Sequence, residues 1–155
     1  MAFRITGLDA APFRRLYGLP DEELQSLGVR RLVAGEKPGF PDRIELRDVE
    51  KGEAVLLLNY LHQPAATPYR GSHAIFVREW AETRYQAQDE TPEVLWIRPV
   101  SLRAFDAYGE MIDADLTSGG DLKPAIERLF ANPEAAYIHA HYAKRGCYAA
   151  RIDRA

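Results

Sequence analysis

The sequence predicts a single α+β domain: a largely antiparallel β-sheet with a few short helices and one helix of the C-terminal half packed on it. Its 155 residues suit one domain, residues 1–155, that buries about two thirds of its chain surface. Segments with strand periodicity outnumber helical ones, and their spacing is too short for repeated crossover helices. The sheet is therefore expected to be mainly antiparallel.

Composition narrows the function classes. The chain is 46% hydrophobic and 28% charged, which is ordinary for a soluble globular protein. The net charge of −3, without a basic block, gives no sign of nucleic-acid binding, although local arginines could still bind a small anion. The start lacks the apolar run of a secretory signal, and the longest apolar run, Ala54–Leu58, is too short to span a bilayer. One cysteine excludes an internal disulfide. We expect a cytoplasmic protein without nucleic-acid or membrane partners.

The N-terminal third is predicted to alternate short strands and helices. The predicted elements are a strand at Phe3–Ile5, helices at Asp9–Tyr17 and Asp21–Leu27, and strands at Val29–Val33 and Arg43–Leu46. Asp9 is a suitable N-cap, and Gly28 stands where a helix often ends in a left-handed residue. Two prolines and two glycines make Ala34–Asp42 a loop.

Two apolar segments predict a hairpin at the centre of the fold. Ala54–His62 is apolar on both faces at first, as expected for a strand covered on both sides, and His73–Trp80 is its partner. Polar side chains gather at one end of this hairpin and in the loop Pro64–Ser72. They are Asn59, Tyr60, His62, Gln63, Tyr69, Arg70, Ser72 and His73. Loops held by rigid strands often carry binding groups. The polar segment that follows, Ala81–Pro92, is expected to be a mobile excursion.

The C-terminal half adds strands and the longest predicted helix. Strands are predicted at Val94–Arg98, Ser101–Asp106 and Met111–Leu116, and a helix follows Gly119–Asp121 and ends at Asn132-Pro133. Asp106 and Gly109 fit a three-residue hairpin loop, which would set Phe105 opposite Met111 and Arg103 opposite Asp113. Asp113 and Asp115 are interpreted as a solvated strand face, with Arg103 neutralising Asp113.

The last hairpin, from Tyr137 to Asp153, holds two histidines and the cysteine. Side chains alternate along a strand, so His139 and His141 point to the same face and could chelate one metal ion. A third ligand would come from His62, His73, Asp113 or Cys147. The alternative is a pair of histidines that hydrogen-bond along a polar sheet face.

The position of Cys147 depends on the turn before it. A three-residue loop, Lys144 to Gly146, pairs Ala143 with Cys147 and puts the thiol on the histidine face; a two-residue loop puts it on the other face. We prefer the three-residue loop, because glycine then takes the same turn position as Gly109. Cys147 near a histidine would be a candidate nucleophile, whereas a lone cysteine is also a common buried hydrophobic residue.

The leading functional hypothesis is a pocket for an anionic small molecule between the His62–His73 loop and the last hairpin. Arg70 and Arg151 would hold the anion, and His139 or His141 would act as an acid–base or hydrogen-bonding group with a pKa near working pH. Arg70 could instead bind only carbonyl oxygens. No dinucleotide fingerprint is present, so hydrolysis or group transfer fits better than hydride transfer. The alternatives are a metal-binding protein or metal-dependent enzyme, and a non-enzymatic interaction or structural module. The sequence indicates no particular cofactor.

Five segments together resemble a known family. They are Pro38–Pro41, Leu56–Pro64, Pro68–Glu79, Tyr137–His141 and Gly146–Arg151. In combination they resemble the bacterial family catalogued as domain of unknown function 1203. The resemblance implies a single-domain bacterial protein and brings no known activity, cofactor or catalytic residue. Many members read Pro-Cys-Arg where this chain has Pro41-Asp42-Arg43, so a cysteine pair or ligand from that loop and Cys147 is not expected here.

Overall fold

A computed structural model describes residues 2–155. The strands are β1 (Phe3–Thr6), β2 (Arg30–Val33), β3 (Ala54–Gln63), β4 (Gly71–Arg78), β5 (Gln86–Gln88), β6 (Val100–Phe105), β7 (Met111–Thr117), β8 (Tyr137–Tyr142) and β9 (Tyr148–Arg154). The helices are α1 (Asp21–Ser26), α2 (Glu93–Trp96) and α3 (Leu122–Phe130), and short 3₁₀ turns occupy Arg14–Leu16 and Gly119–Asp121. No helix in residues 2–155 has the length and apolar character needed to cross a membrane.

The strands form two antiparallel sheets. The large sheet has the order β5-β1-β9-β8-β6-β7, and the small sheet has the order β2-β3-β4. All strand pairs within these sheets are antiparallel. The predicted α+β class with a largely antiparallel sheet is confirmed, as is the central hairpin, which is β3 and β4.

Alternation along the strands creates two apolar layers. One face of the large sheet, including Ile138 and Ala140 of β8, packs with Ile126 and Leu129 of α3. The small sheet contributes Leu56, Leu58, Ile75 and Val77 to a second core that also contains Tyr148 of β9. His139 and His141 alternate with Ile138 and Ala140, so they face away from α3 and toward the small sheet.

Helix and strand patterns in the N-terminal third are confirmed in part. Helix α1 lies where it is predicted, and Gly28 follows it with a φ of 74°. The helix predicted at Asp9–Tyr17 is wrong, because only Arg14–Leu16 forms a 3₁₀ turn. Asp9 Oδ1 accepts a hydrogen bond from the Ala11 amide at 2.9 Å, which makes a local turn instead of a helical cap.

Two further predictions fail in the middle of the chain. Val94–Arg98 is not a strand: α2 begins after Pro92, and two of its own residues, Val94 and Leu95, are buried. A short apolar run does not distinguish a buried strand from a buried helical turn. Ala81–Pro92 is not a mobile excursion, because Ala81 is buried and β5 adds an edge strand beside β1.

The turn at Asp106–Glu110 is confirmed, with one change of register beyond it. The Asp106 amide donates to the Glu110 carbonyl at 2.9 Å, and Phe105 lies opposite Met111. Arg103 does not lie opposite Asp113 as predicted, because a bulge after Ala104 shifts the pairing by one residue. Asp113 and Asp115 instead interact with Arg128 of α3. Its nitrogens lie 3.6 Å from Asp113 Oδ2 and 2.7 Å from Asp115 Oδ2.

The predicted strand Arg43–Leu46 is an irregular turn organised by Asp42. The Asp42 carboxylate is fully buried and accepts hydrogen bonds from the amides of Ile44 (3.2 Å), Glu45 (2.6 Å) and Arg78 (2.7 Å). Leu46 then adopts a φ of 48°, which a regular strand excludes. The carboxylate ties this turn to the end of β4.

Asp42→Ala is expected to destabilise the protein by roughly 3 kcal/mol, because it leaves three buried or partly buried amide donors without an acceptor. Urea unfolding at neutral pH measures the loss. Asp42→Asn keeps one acceptor oxygen and should cost less than Asp42→Ala. Equal stabilities for the wild type and Asp42→Ala would contradict the role assigned to this carboxylate.

Candidate functional site

All four histidines meet between the two sheets. His62 comes from β3, His73 from β4, and His139 and His141 from β8. The His62 ring centroid lies 4.7 Å from His73, 4.9 Å from His141 and 6.0 Å from His139. The predicted shared face of His139 and His141 is therefore present, and the small sheet brings the other two histidines to it.

Three of the rings have the spacing of a metal site. His62, His73 and His141 each offer a ring nitrogen within 4.8 Å of the others. Within residues 2–155, no other group of three His, Cys, Asp or Glu side chains has this spacing. Two nitrogens on one tetrahedral Zn²⁺ lie roughly 3.3 Å apart, because each Zn–N bond is about 2.0–2.1 Å long. His62 Nε2 and His73 Nδ1 are 2.8 Å apart, so they would separate by about half an ångström.

A hydrogen bond orients His141 for ligation. Its Nδ1 lies 2.9 Å from the Gly146 carbonyl oxygen, and a carbonyl only accepts, so Nδ1 carries the proton and donates. Its Nε2 is then an unprotonated acceptor, and it is buried without a hydrogen-bond partner. Metal-binding histidines usually donate the other ring N–H to a carbonyl or carboxylate in this way.

Burial keeps the histidines neutral. It lowers the pKa of His62 to about 4 and the pKa of both His139 and His141 to about 3, and it also lowers the pKa of His73. The charges of Arg103 and, for His139, Arg151 act in the same direction. The expected pKa near working pH is therefore wrong for His139 and His141. Neutral imidazole is the form that binds metal ions.

Cys147 lies on the face opposite the histidines. The Gly146 amide donates to the Tyr142 carbonyl at 2.8 Å, and the Tyr142 amide donates to the Cys147 carbonyl at 2.9 Å. The loop thus has four residues, and the preferred pairing of Ala143 with Cys147 is wrong. Cys147 Sγ lies 3.2 Å from Arg43 Nη2, away from His139 and His141. The geometry does not bring this thiol into the histidine cluster.

The four histidines lie in segments that resemble the DUF1203 family. A family model described as protein of unknown function, DUF1203, matches residues 39–154. The chain belongs to the DUF1203 family. No curated protein and no solved structure shows significant similarity to it. All four histidines of this DUF1203 protein lie within the matched region.

Two residues beside the cluster were not predicted as site residues. Tyr148 stacks on His62, with ring centroids 5.5 Å apart, and meets His139 and His141 edge-on. Arg103 is the register neighbour of His139 and, among residues 2–155, has no carboxylate partner; its Nε donates to Ser101 Oγ at 3.3 Å. Arg103 lies next to the histidines because β6 pairs with β8. The sequence does not indicate this pairing, so it could not place Arg103 in the site.

Two cavities adjoin the cluster in this DUF1203 fold. The smaller, of about 310 Å³, is lined by His62, Gln63, Tyr108, Tyr137, His139 and Arg151, among others. The larger, of about 910 Å³, includes Arg43, His73, Phe76, Arg98, Tyr142 and Cys147 in its wall. The histidine cluster therefore forms part of both walls: His62 and His139 on one side, His73 on the other.

The remaining predicted ligand-binding residues are divided between the site and the surface. Tyr60 packs between Phe13 and Tyr148, with ring centroids 6.3 and 5.7 Å away. Asn59 and Ser72 are exposed and alternate with the inward-facing residues of their strands.

Two predicted residues of the loop after β3 also stand apart from the cavities. Arg70 donates to the Pro64 carbonyl, which agrees with the alternative that it binds only carbonyl oxygens. It lines neither cavity. Tyr69 is exposed and meets Phe105 edge-on at 6.4 Å.

Proposed function

We propose that the protein binds a divalent transition-metal ion of the Zn²⁺ type through His62, His73 and His141. The observation that carries the proposal is the buried, unprotonated and unpartnered Nε2 of His141, which lies in a cluster with two other imidazoles. This version of the metal hypothesis keeps His141 and replaces His139 by the two histidines of the small sheet.

The competing structural role explains less of this geometry. As a hydrogen-bonded network, the three rings share one bond, between His62 Nε2 and His73 Nδ1. Leaving a buried acceptor unpaired costs about 1–3 kcal/mol, and buried polar atoms nearly always have a partner. A metal ion would occupy the His141 lone pair and remove this cost.

A three-histidine site also favours a catalytic over a purely structural metal. Structural zinc sites are closed by four protein ligands, whereas catalytic sites have three and keep one position open. A metal ion held there can polarise a bound oxygen atom and generate a nucleophile from water. We therefore propose hydrolysis or group transfer as the reaction class.

The charge balance supports an anion at the open position. The three-ligand cluster contains no carboxylate, and Arg103 adds a positive charge beside it. A divalent ion would bring two further positive charges into a largely buried place, where unbalanced charge is costly. Hydroxide or an anionic substrate would supply the missing negative charge. We therefore propose that the anionic ligand binds at the open position of the metal ion instead of at Arg70.

Metal analysis tests the proposal. Protein purified without a histidine tag and titrated with Zn²⁺ is expected to bind about one ion per chain. His141→Asn should abolish binding, because the shorter amide can still donate to Gly146 but offers no ligand in place of Nε2. His139→Gln is the matched control on the same strand and should retain the ion. Absence of binding by the folded wild type would remove the metal centre.

A further inference from the structure

The 310 Å³ cavity beside His62 has the features of a second binding site. His62 and His139 are 9% and 3% exposed, and both line the cavity. The Nδ1 atom of each ring is buried and has no hydrogen-bond partner. Because buried polar atoms in folded proteins are almost always paired, an unpaired Nδ1 on each of two rings that line one cavity points to a missing hydrogen-bond partner.

The protonation of His62 determines what kind of group is missing. If Nε2 of His62 binds the metal ion, the proton of the neutral ring must sit on Nδ1, which then acts as a donor. A metal-bound histidine normally donates this second N–H to a carboxylate, a carbonyl or water. His141 has such an acceptor in Gly146, whereas His62 has none. His62 Nδ1 therefore lacks a hydrogen-bond acceptor.

The charge of the wall makes an anionic acceptor the best fit. Arg151 lines the cavity, and its guanidinium lies 4.1 Å from the centre of the Tyr137 ring. Its ion pair with Asp153 uses Nε and Nη2, which leaves Nη1 for a ligand. No Asp or Glu is among the lining residues. Gln63 Nε2 donates to Tyr137 Oη at 2.9 Å, so the Tyr137 hydroxyl proton is also left for an acceptor.

We propose that this cavity binds a small organic carboxylate, which accepts hydrogen bonds from His62 Nδ1–H and Tyr137 and is paired with Arg151. The inference rests on the proposed function, since the metal ion at Nε2 fixes the proton on Nδ1. Tyr108 and Tyr137 supply aromatic walls for an apolar body, and the volume of about 310 Å³ suits a single-ring acid. The carboxylate would complete the surroundings of the metal centre without binding the ion.

Benzoate and benzamide form a matched pair of probes, because they share a shape and differ in charge. Calorimetry on the Zn²⁺-loaded protein is expected to show benzoate binding about tenfold more tightly than benzamide. Arg151→Gln should weaken benzoate about tenfold and leave both benzamide binding and metal content unchanged. Arg70→Gln is the control, because this arginine donates to Pro64 outside the cavity and should leave benzoate affinity intact.

Separate readouts distinguish failure of the cavity from failure of the metal centre. Equal affinities for the two probes, no benzoate binding by metal-loaded protein, or an Arg151→Gln variant with wild-type affinity would overturn the carboxylate site. In the Co²⁺-substituted protein the visible absorption bands should keep their positions when benzoate is added. New bands would place the carboxylate on the ion and overturn the proposed geometry. Arg151-dependent benzoate binding by a protein that takes up no metal would support the cavity and remove the metal centre.

Discussion

Saturating Zn²⁺ is expected to raise the thermal unfolding midpoint of the metal-free protein by about 8–16 °C. A ligand that binds only the folded state stabilises it by about 4 kcal/mol when its free concentration is 1,000 times the dissociation constant. For a domain of this length, each kcal/mol shifts the midpoint by about 2–4 °C. The full effect is expected because the three histidines lie on β3, β4 and β8, which only folding brings together, so the unfolded chain lacks the site. Differential scanning calorimetry with and without Zn²⁺ measures it.

Ligand variants decide whether the stabilisation arises at the proposed site. His73→Gln should lose most of the Zn²⁺-dependent shift and still fold, because His73 is only partly buried. Cys147→Ala should keep the full shift, since the thiol lies on the opposite face of the hairpin next to Arg43. A shift that survives His73→Gln, or one that disappears in Cys147→Ala, would assign the ion to other residues.

The features that could be predicted from the sequence are local ones. The shared face of His139 and His141 follows from the alternation of side chains in a strand, and the turn around Gly109 follows from its need for a positive φ. Such signals involve residues only a few positions apart. They locate the hairpin of candidate residues without requiring knowledge of what packs against it.

The site itself depends on contacts between distant segments. His73 meets His141 because the small sheet packs on the large one, and no spacing along the chain encodes that distance. Arg103 faces His139 because β6 pairs with β8, although β7 follows β6 in the chain. For the same reason the sequence could name the histidines as possible ligands but could not choose the three that converge.

Small irregularities caused the errors with the greatest functional consequence. The side-chain period of a strand is two, so one extra residue turns every following side chain to the other face. The loop has four residues instead of three, so it pairs Tyr142 with Cys147 and turns the thiol away from the histidine face. A bulge after Ala104 likewise changed the residue opposite Asp113, and Arg128 of α3 took the role expected of Arg103.

Acidification from pH 7.5 to 5.0 is expected to destabilise the metal-free protein by on the order of 6 kcal/mol. Unfolded histidine has a pKa near 6.5, whereas burial lowers the pKa of His62 to about 4 and those of His139 and His141 to about 3. Between these values the unfolded chain binds more protons. The stabilisation is therefore complete above pH 6.5 and is lost as the pH falls. Each ring contributes about 2 kcal/mol at pH 5.0. Urea unfolding with a chelator present measures the total.

This pH window lies above the range in which the ion-paired Glu79 loses its contribution to stability. The pKa of Glu79 is lowered by its hydrogen bonds from Arg31, so the stability it contributes is lost only below pH 4.5, the value in the unfolded chain. His139→Gln replaces one buried imidazole by a neutral amide and should remove about one third of the pH-dependent loss. A stability that stays constant from pH 7.5 to 5.0 would show that the rings accept protons in the folded state. Such rings would be charged at pH 5.0, and the cluster would then lack the neutral donors that a metal ion requires.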